Sequence, residues 1–571
     1  MLGSLCALLL GVVQTAGFAP TPYGGWLQLA VMALFYALLH GGSRAAARPV
    51  RRAALLGVAF GLGNFVSGVY WLYISMHDFG AMAAPLAAAT LVLFCFYLSW
   101  YPGLAGAVWA WLSVRRAAAA ARRRRVPAPL VFAACWSLGE WLRGMVFTGF
   151  PWLSIGYSHV DTPLAGFAGW LGVYGVGFAA ALVASALASA FVDGGAAVVA
   201  VPAPDPASFA LRRSAADPAA SDPAASERAA SDLATASSAV DGMPRGGPAR
   251  RVRLAGLVTA VLVLLAGLLA GVPRFVAPDG APLAVRLLQG NIAQDMKFGE
   301  AGVAHAIDLY RELLTARPAD LIVTPETAYP ILATQIPAAD VATLQAFAQR
   351  SGSALLFGAV GVDFDPQGRP IAYTNAMFGI SPSGGPVYRY VKHHLVPFGE
   401  FVPWGFRWLV DAMQIPLGEL ARGGLGQPPF HVKGRPVAVD ICYEDIFGEE
   451  IAATLRRQEQ PAGLLVNATN LAWFGNTIAL DQHLQIARMR TLETGRPMVR
   501  ATNTGVTAAI DAEGHVLARL PVFTVGALDT RVQATKGLTP YARIGNAGVL
   551  ALAAVVLAAA AFSRRKQRRP E

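Results

Sequence analysis

Eight apolar stretches of about bilayer-crossing length, residues 2–18, 26–40, 53–76, 84–112, 129–147, 164–192, 254–272 and 544–562, limit what this chain can fold into. A helix crosses the hydrocarbon core of a membrane with about 20 apolar residues. Charged residues make up 14% of the 571 positions against 55% hydrophobic ones, a balance that does not suit a wholly soluble protein. The first two stretches are short, and the fifth carries Glu140 and Arg143. The expected frame is therefore a polytopic α-helical membrane domain of about eight spans, joined to whatever the remaining polar sequence builds.

The segments between the stretches alternate in charge. Residues 41–52 carry four arginines, 113–126 six and 193–253 seven, and the tail after Phe562 carries five Lys or Arg, whereas 19–25, 77–83 and 148–163 carry none. Basic loops stay in the cytoplasm, so both termini are expected there and the segment after the seventh span on the opposite face. Residues 2–18 lack a basic leader and end in a poor cleavage site, which favours a retained span over a signal peptide. The net charge of +11 sits almost wholly in these loops: residues 273–543 hold 23 Lys or Arg against 24 Asp or Glu. A nucleic-acid partner is excluded on that ground.

The expected division is 1–192 as an N-terminal membrane domain of six spans, 193–253 as a cytoplasmic linker, 254–272 as the seventh span, 273–543 as an exoplasmic domain, 544–562 as the eighth span and 563–571 as a basic cytoplasmic tail. Within the linker, residues 203–249 repeat Ala, Pro, Ser and Asp, as in Asp217-Pro-Ala-Ala-Ser-Asp222-Pro-Ala-Ala-Ser, without the periodicity that a packed core requires, and read as disordered. From residue 284 the pattern changes. Short β-rich runs at 285–288, 321–324, 354–360, 375–380, 387–391, 437–441 and 464–467 alternate with helical periodicity at 303–315, 339–350, 446–457 and 481–494, which predicts an α/β sandwich.

Three of the β-rich runs end in groups that bear chemistry: Glu326 after Leu321-Ile-Val-Thr-Pro, Lys392 after Val387-Tyr-Arg-Tyr-Val, and Cys442 after Arg435-Pro-Val-Ala-Val-Asp-Ile. A thiol attacks as its thiolate, an adjacent ammonium favours that form, a carboxylate accepts the proton, and the ammonium also steadies an oxyanion. Taken singly, each residue has an ordinary role as packed thiol, helix-terminal acid or surface charge. Cys6, Cys95 and Cys135 fall in apolar runs, so Cys442 is alone in its domain and neither a disulfide nor a zinc spacing is available to it. His393 and His394 are adjacent on an extended run and point apart, which argues against a shared metal. Glu140 and Arg143, three residues apart on a helix, suggest a structural ion pair. Phe150, Trp152 and the Trp404–Trp408 aromatics read as interface anchors or as walls of a lipid cleft.

Longer blocks surround the three residues: Thr324-Pro-Glu-Thr-Ala-Tyr-Pro330, Lys392-His-His-Leu-Val-Pro-Phe-Gly-Glu-Phe-Val-Pro403, Ile441-Cys-Tyr-Glu444, Ala472-Trp-Phe-Gly475, residues 482–497 and Arg500-Ala-Thr-Asn-Thr-Gly505. These resemble the carbon-nitrogen hydrolase (nitrilase) superfamily, whose Glu-Lys-Cys triad sits on an αββα sandwich. Together with Trp71-Leu-Tyr-Ile-Ser-Met-His-Asp-Phe-Gly80 and residues 140–152 of the membrane half, they are similar more closely to the apolipoprotein N-acyltransferase family of the bacterial inner membrane.

That resemblance implies acyl transfer without a cofactor or a metal. A phospholipid would be the acyl donor, a thioester would form on Cys442, and the α-amino group of a diacylglyceryl-apolipoprotein would be the acceptor. Glu326 matches the family's base, Lys392 its oxyanion-stabilising lysine and Glu400 its second glutamate, while Tyr443 and Glu444 match residues that support the nucleophile. Phe298 stands where the family commonly has a substrate-gating Trp, Trp473 belongs to the substrate-side block, and Leu471 replaces an acid of the pattern. The aromatic and apolar run 401–420, with Trp404, Phe406, Trp408, Leu409 and Met413, is expected to dip toward the bilayer. A membrane-anchored amidase acting on a soluble C–N bond shares the triad; the eight spans, with polar strings such as Ser75-Met-His-Asp78, weigh against it, and the complete triad weighs against a non-enzymatic scaffold.

Overall fold

A computed structural model describes residues 1–114, 126–195, 247–271, 274–294, 297, 299–403, 405, 407 and 419–566. Most of the expected linker, Phe298, and Trp404, Phe406, Trp408, Leu409 and Met413, for which a bilayer contact was expected, lie outside these.

Each apolar stretch of the sequence folds as helix. Gly24–Arg44, Ala84–Ser113, Pro163–Phe191, Arg250–Ala270 and Ala547–Arg565 are long and apolar enough to cross a membrane, and the pair Pro49–Gly68 and Trp71–Phe79, bent by 53° at its break, makes a sixth. Leu2–Gly17 is shorter. The stretch expected at 129–147 is the 16-residue helix Ala128–Arg143, because beyond Arg143 the backbone turns back through Phe147, Thr148 and Gly149 at φ of 53°, 73° and 85°. By length alone, then, five or six helices among the described residues qualify as spans where the sequence suggested eight. Close packing sets the bundle: a Cβ on Gly57 would lie 2.3 Å from the Pro102 carbonyl oxygen, and one on Gly61 2.9 Å from the Ser99 Cα, so small residues let the two helices touch backbone to backbone. The Pro163–Phe191 helix is central, while Arg250–Ala270 and Ala547–Arg565 are mostly exposed on the bundle's outside.

Two sheets face each other in the other half. One runs β13 (Val516–Arg519), β12 (Ala508–Ile510), β11 (Met498–Thr502), β10 (Leu464–Thr469), β9 (Arg435–Ile441), β8 (Phe430–Val432). Its partner runs β14 (Gly526–Val532), β2 (Leu283–Gln289), β3 (Leu321–Val323), β5 (Ala354–Phe364), β6 (Pro370–Ile380), β7 (Tyr388–Val391), with β4 (Tyr329–Leu332) beside β5. Alternation along each strand builds the layers. Val285, Leu287, Leu321, Val323, Leu356, Val437, Val439, Ile441, Leu464 and Val466 fill the space between the sheets. Leu288, Ile322, Leu355 and Phe357 face helices Glu300–Thr315 and Ala338–Ser351, and Ala438 and Leu465 face Gly448–Arg457 and Ala479–Thr494. Both faces of each sheet are covered, which is why these strands read as continuous apolar runs. The result is the expected α/β sandwich, αββα in layers. A small third pairing, β1 (Val276–Pro278) with β15 (Thr535–Gly537), brings together the two ends of this region.

The two halves share one apolar core. Ile446, Phe447, Ala479, Ile486 and Met489 of the sandwich pack in the same cluster as Trp71, Trp152, Tyr157 and Tyr174. Arg488 bridges to Asp161 at 3.0 Å on the rim of this junction.

Candidate active site

Glu326 and Lys392 leave one sheet and Cys442 the other, so the three meet where the sandwich's strands end. Cys442 begins a single 3-10 turn, Cys442–Ile446, directly after β9. Its φ is 55°, a left-handed backbone that costs a non-glycine residue about 1–3 kcal/mol and that surrounding contacts must hold in place. The Asn467 side-chain amide donates to the Cys442 carbonyl oxygen at 3.2 Å and to Asp440 Oδ1 at 2.5 Å.

Lys392 is 1% exposed. Its Nζ donates to Glu326 Oε1 at 3.1 Å and to Glu400 Oε1 at 3.0 Å. Asn375 Nδ2 bridges the same two oxygens at 2.7 Å each. The second oxygen of Glu326 accepts the Asn470 backbone N–H at 2.9 Å, and that of Glu400 accepts the Val396 N–H at 2.8 Å. One buried ammonium thus lies between the buried carboxylate of Glu326 and the half-buried one of Glu400, each held by further donors, the condition under which buried charges are tolerated.

The electrostatics follow. Burial acts to raise the Glu326 carboxyl, but the Lys392 ammonium, the Asn375 amide and Lys297 reverse it and hold the group below the usual carboxylate range. Burial acts to lower the Lys392 ammonium, and the charges of Glu326, Glu400 and Cys442 overcome it and hold the proton firmly. Burial, helped by Glu326, pushes the Cys442 thiol up to about 12 against the opposing pull of Lys392. At neutral pH the resting trio is carboxylate, ammonium and thiol. Attack by sulfur then requires proton transfer to the carboxylate in the same step.

Glu444 braces the Cys442–Ile446 turn. Its Oε2 accepts the Ile441 N–H at 2.6 Å, while Oε1 accepts the His393 and His394 N–H groups at 2.6 and 3.1 Å. Tyr390 donates to both oxygens. One side chain therefore ties the end of the Lys392 strand to the end of the Cys442 strand. Tyr443 turns the other way, its hydroxyl donating to the Gly149 carbonyl of the membrane half at 3.1 Å. Trp473 is 39% exposed at the junction, edge-on to Phe79 of the membrane half at 6.3 Å. Leu471 packs with Leu480 and Val506 behind β10.

Sequence reasoning missed several residues here. Asn375 and Asn470 hold Glu326; the signal for Asn375 was an amide inside an otherwise apolar strand. Lys297 is 3% exposed and donates to the Glu326 carbonyl oxygen at 3.3 Å; burial lowers it to about 8 against the pull of Glu326 and Cys442. Asn470 also donates to Gln294 at 2.8 Å, and Asn503 ties Ile292 into the same loop.

Other sequence readings need correction. Glu140 and Arg143 direct their hydrogen bonds into the segment that follows: Glu140 Oε1 accepts the Ile155 N–H at 2.9 Å, and Arg143 donates to the carbonyls of Phe150 and Trp152 and to Ser154 Oγ. Their structural part is to fold that segment. Trp152 is neither an interface anchor nor a cleft wall: it is 2% exposed and stacked on His483 at 5.7 Å. His393 Nδ1 meets the Gly423 carbonyl and His394 Nδ1 meets Glu450. Among the described residues there is no group of three or more His, Cys, Asp or Glu arranged to hold a metal.

Residues 10–186 match the family described as apolipoprotein N-acyltransferase N-terminal domain, and residues 284–540 match carbon-nitrogen hydrolase. An apolipoprotein N-acyltransferase of Ralstonia nicotianae is 46% identical over 98% of this chain and 93% of its own length. One from Bordetella bronchiseptica is 40% identical over 98% and 96%. Among solved structures, a nitrilase-superfamily amidase from Nesterenkonia AN1 aligns at 18% identity and a TM-score of 0.34, covering 48% of this chain and 97% of its own.

Proposed function

The chain belongs to the apolipoprotein N-acyltransferase family, and from that premise we propose a two-step acyl transfer between lipids at the site just described. It is an acyltransferase with a carbon-nitrogen hydrolase domain. In the first step the Cys442 sulfur attacks the carbonyl carbon of a phospholipid's acyl ester as its proton passes to the Glu326 carboxylate. The oxyanion so formed faces the Lys392 ammonium. Collapse breaks the ester C–O bond, Glu326 returns the proton to the departing glycerol oxygen, and a lysophospholipid leaves behind a thioester on Cys442.

In the second step the α-amino group of an apolipoprotein's diacylglyceryl-cysteine attacks that thioester. Glu326 takes the amine's proton, the C–S bond breaks, the sulfur recovers a proton, and an amide remains. Lys392 keeps its charge throughout, since the Glu400 carboxylate and the developing oxyanion favour the ammonium even while Glu326 holds a proton. Glu400 and Asn375 fix where that ammonium points, and a donor at an oxyanion is worth roughly 3 to 4 kcal/mol in the transition state.

The observation that carries this reading is the single buried ammonium shared by Glu326 and Glu400 at the strand ends from which Cys442 projects. The match to relatives over both the helical half and the sandwich favours a lipid acyl acceptor and donor over a soluble amide. On the same reading, residues 1–192, 254–272 and 544–562 hold 273–543 on the periplasmic face of the inner membrane, with 193–253 and 563–571 in the cytoplasm.

The test is mass spectrometry of the purified protein in mixed micelles with dioleoyl phosphatidylethanolamine. An oleoyl adduct on the peptide bearing Cys442, discharged by a diacylglyceryl-cysteine peptide and absent from Cys442→Ala, is the expected result. Transfer that persists in Cys442→Ala would overturn the assignment.

A further inference from the structure

The membrane half touches the nucleophile's turn at two of its five residues and reaches a third through His483 of the sandwich, and all three links come from one short segment. After Arg143 the chain reverses and returns along residues 144–157. Gly149 accepts the Tyr443 hydroxyl at 3.1 Å. Trp152 stacks on His483 with ring planes 11° apart and donates to Gln482 Oε1 at 2.7 Å, and His483 Nε2 lies 2.9 Å from Asp445 Oδ1. Tyr157 donates its hydroxyl to the Ile446 carbonyl at 3.1 Å, and Arg490 reaches that hydroxyl at 3.4 Å.

The segment itself is folded from inside the helical half. The Arg143 guanidinium, 2% exposed, donates to the Phe150 carbonyl, to the Trp152 carbonyl at 2.6 Å and to Ser154 Oγ at 3.0 Å. The Phe150 N–H returns a bond to the Arg143 carbonyl at 2.9 Å. A planar fork with five donors suits such gathering of several acceptors, and a lysine cannot reproduce it. Glu140 secures the far end through the Ile155 N–H at 2.9 Å.

We propose that the returning segment 144–157 is a template for the Cys442–Ile446 turn, and that Arg143 is the positioning residue that folds it. The membrane helices then serve the chemistry as well as anchorage. Glu444 fixes the turn from the sandwich side, and Gly149, Trp152 and Tyr157 fix it from the membrane side. A left-handed Cys442 needs such support on both faces, because a displacement of about 1 Å at a reacting atom lowers a rate by as much as about 100-fold. The proposal rests on the reading of Cys442 as nucleophile.

The test compares Tyr157→Phe, Arg143→Lys and Arg143→Met with Asp161→Asn, which breaks only the rim bridge to Arg488. Each full-length protein in detergent is assayed for melting temperature, for the rate of oleoyl adduct formation on Cys442, for kcat and KM separately, and for alkylation of Cys442 by iodoacetamide. Tyr157→Phe keeps the ring and removes one hydroxyl. It is expected to melt as the unaltered protein does while kcat falls about 10-fold at unchanged KM, a loss within what a misplaced reacting atom produces. Arg143→Lys is expected to retain more activity than Arg143→Met, and Asp161→Asn to react at the full rate.

Folded Tyr157→Phe and Arg143→Lys proteins that acylate and alkylate as fast as the unaltered one would overturn the proposal. So would an equal slowing in Asp161→Asn, which would reduce the effect to docking in general. An unaltered protein that forms no adduct would instead sink the reading of Cys442 on which the proposal depends.

Discussion

At the scale of single residues, the site is organised by charge balance around Lys392. Removing its ammonium in Lys392→Met leaves Glu326 and Glu400 facing each other with Asn375 alone between them. Breaking a buried pair in this way costs about 3–5 kcal/mol, so the variant is expected to melt well below the unaltered protein and to lose acyl-adduct formation by at least about 100-fold. Thermal unfolding and adduct mass spectrometry check both parts. Lys297 gives a pH signature. Its ammonium, lowered to about 8 mainly by burial, is present beside Glu326 and Cys442 below that pH and lost above it. Adduct formation is therefore expected to decline as pH rises through about 8, and Lys297→Met to show a lower rate without that limb, in a profile taken from pH 6 to 9.5. The thiol has the opposite kind of shift. Its folded value is raised to about 12 from 9.0, so the folded protein keeps a proton that the unfolded chain has released. Stability is unaffected below about 9 and falls as pH climbs toward 12, and Cys442→Ala should flatten that loss in alkaline denaturation curves. The trio itself was readable because each member ends an apolar run. Lys297 and Asn470 were not, since nothing local in the sequence says that their loops fold over Glu326.

At the scale of elements, what the sequence displayed was alternation and what it hid was pairing. The runs at 285–288, 354–360, 437–441 and 464–467 lie within strands buried on both faces, and 321–324 overruns its strand by Thr324 alone; uninterrupted Val, Leu and Ile leave little else for them to be. β11 escaped because Arg500, fully buried in its middle, breaks the apolar run; its guanidinium meets the His483 carbonyl at 2.7 Å and ring nitrogen at 2.6 Å. β14 escaped because its partner is β2, more than 200 residues earlier, and its own burial alternates weakly. The helix expected from residue 446 begins at Gly448, since Cys442–Ile446 is taken by the 3-10 turn that starts at the proposed nucleophile. That turn depends on β10 as well as on β9. Asn467→Ala removes the amide shared by the Cys442 carbonyl and Asp440. A buried acceptor left without its donor costs about 1–3 kcal/mol, so a lowered melting temperature with a matching fall in kcat is the expected outcome.

At the scale of the whole molecule, the parity of membrane crossings decides which face the site serves. Among the described residues five helices, or six with the bent pair, are long enough to span, and four or five of these precede the sandwich; counting the short helices Leu2–Gly17 and Ala128–Arg143 as crossings too would bring the number before Pro273 to seven. On the proposed reading, an odd count with a cytoplasmic N-terminus would send the sandwich to the periplasm, in keeping with four arginines in 41–52 and six in 113–126 against no Lys or Arg in 77–83 and 148–163. The two helices between them, Pro163–Phe191 and Arg250–Ala270, put the 144–157 segment on the sandwich's side whatever the count before it, and there Gly149, Trp152 and Tyr157 meet it. Were Ala128–Arg143 not to cross, residues 113–126 and 148–163 would share one face and the alternation of loop charge would be lost. Single cysteines in a chain freed of its four native ones test this directly. Ser383→Cys, in the exposed turn between β6 and β7, should react with a membrane-impermeant maleimide in intact spheroplasts. Ala45→Cys, exposed in the first basic loop, should react only after the membrane is opened. Labelling in the reverse order would place the thiol of Cys442 in the cytosol, away from the lipoproteins it is proposed to acylate.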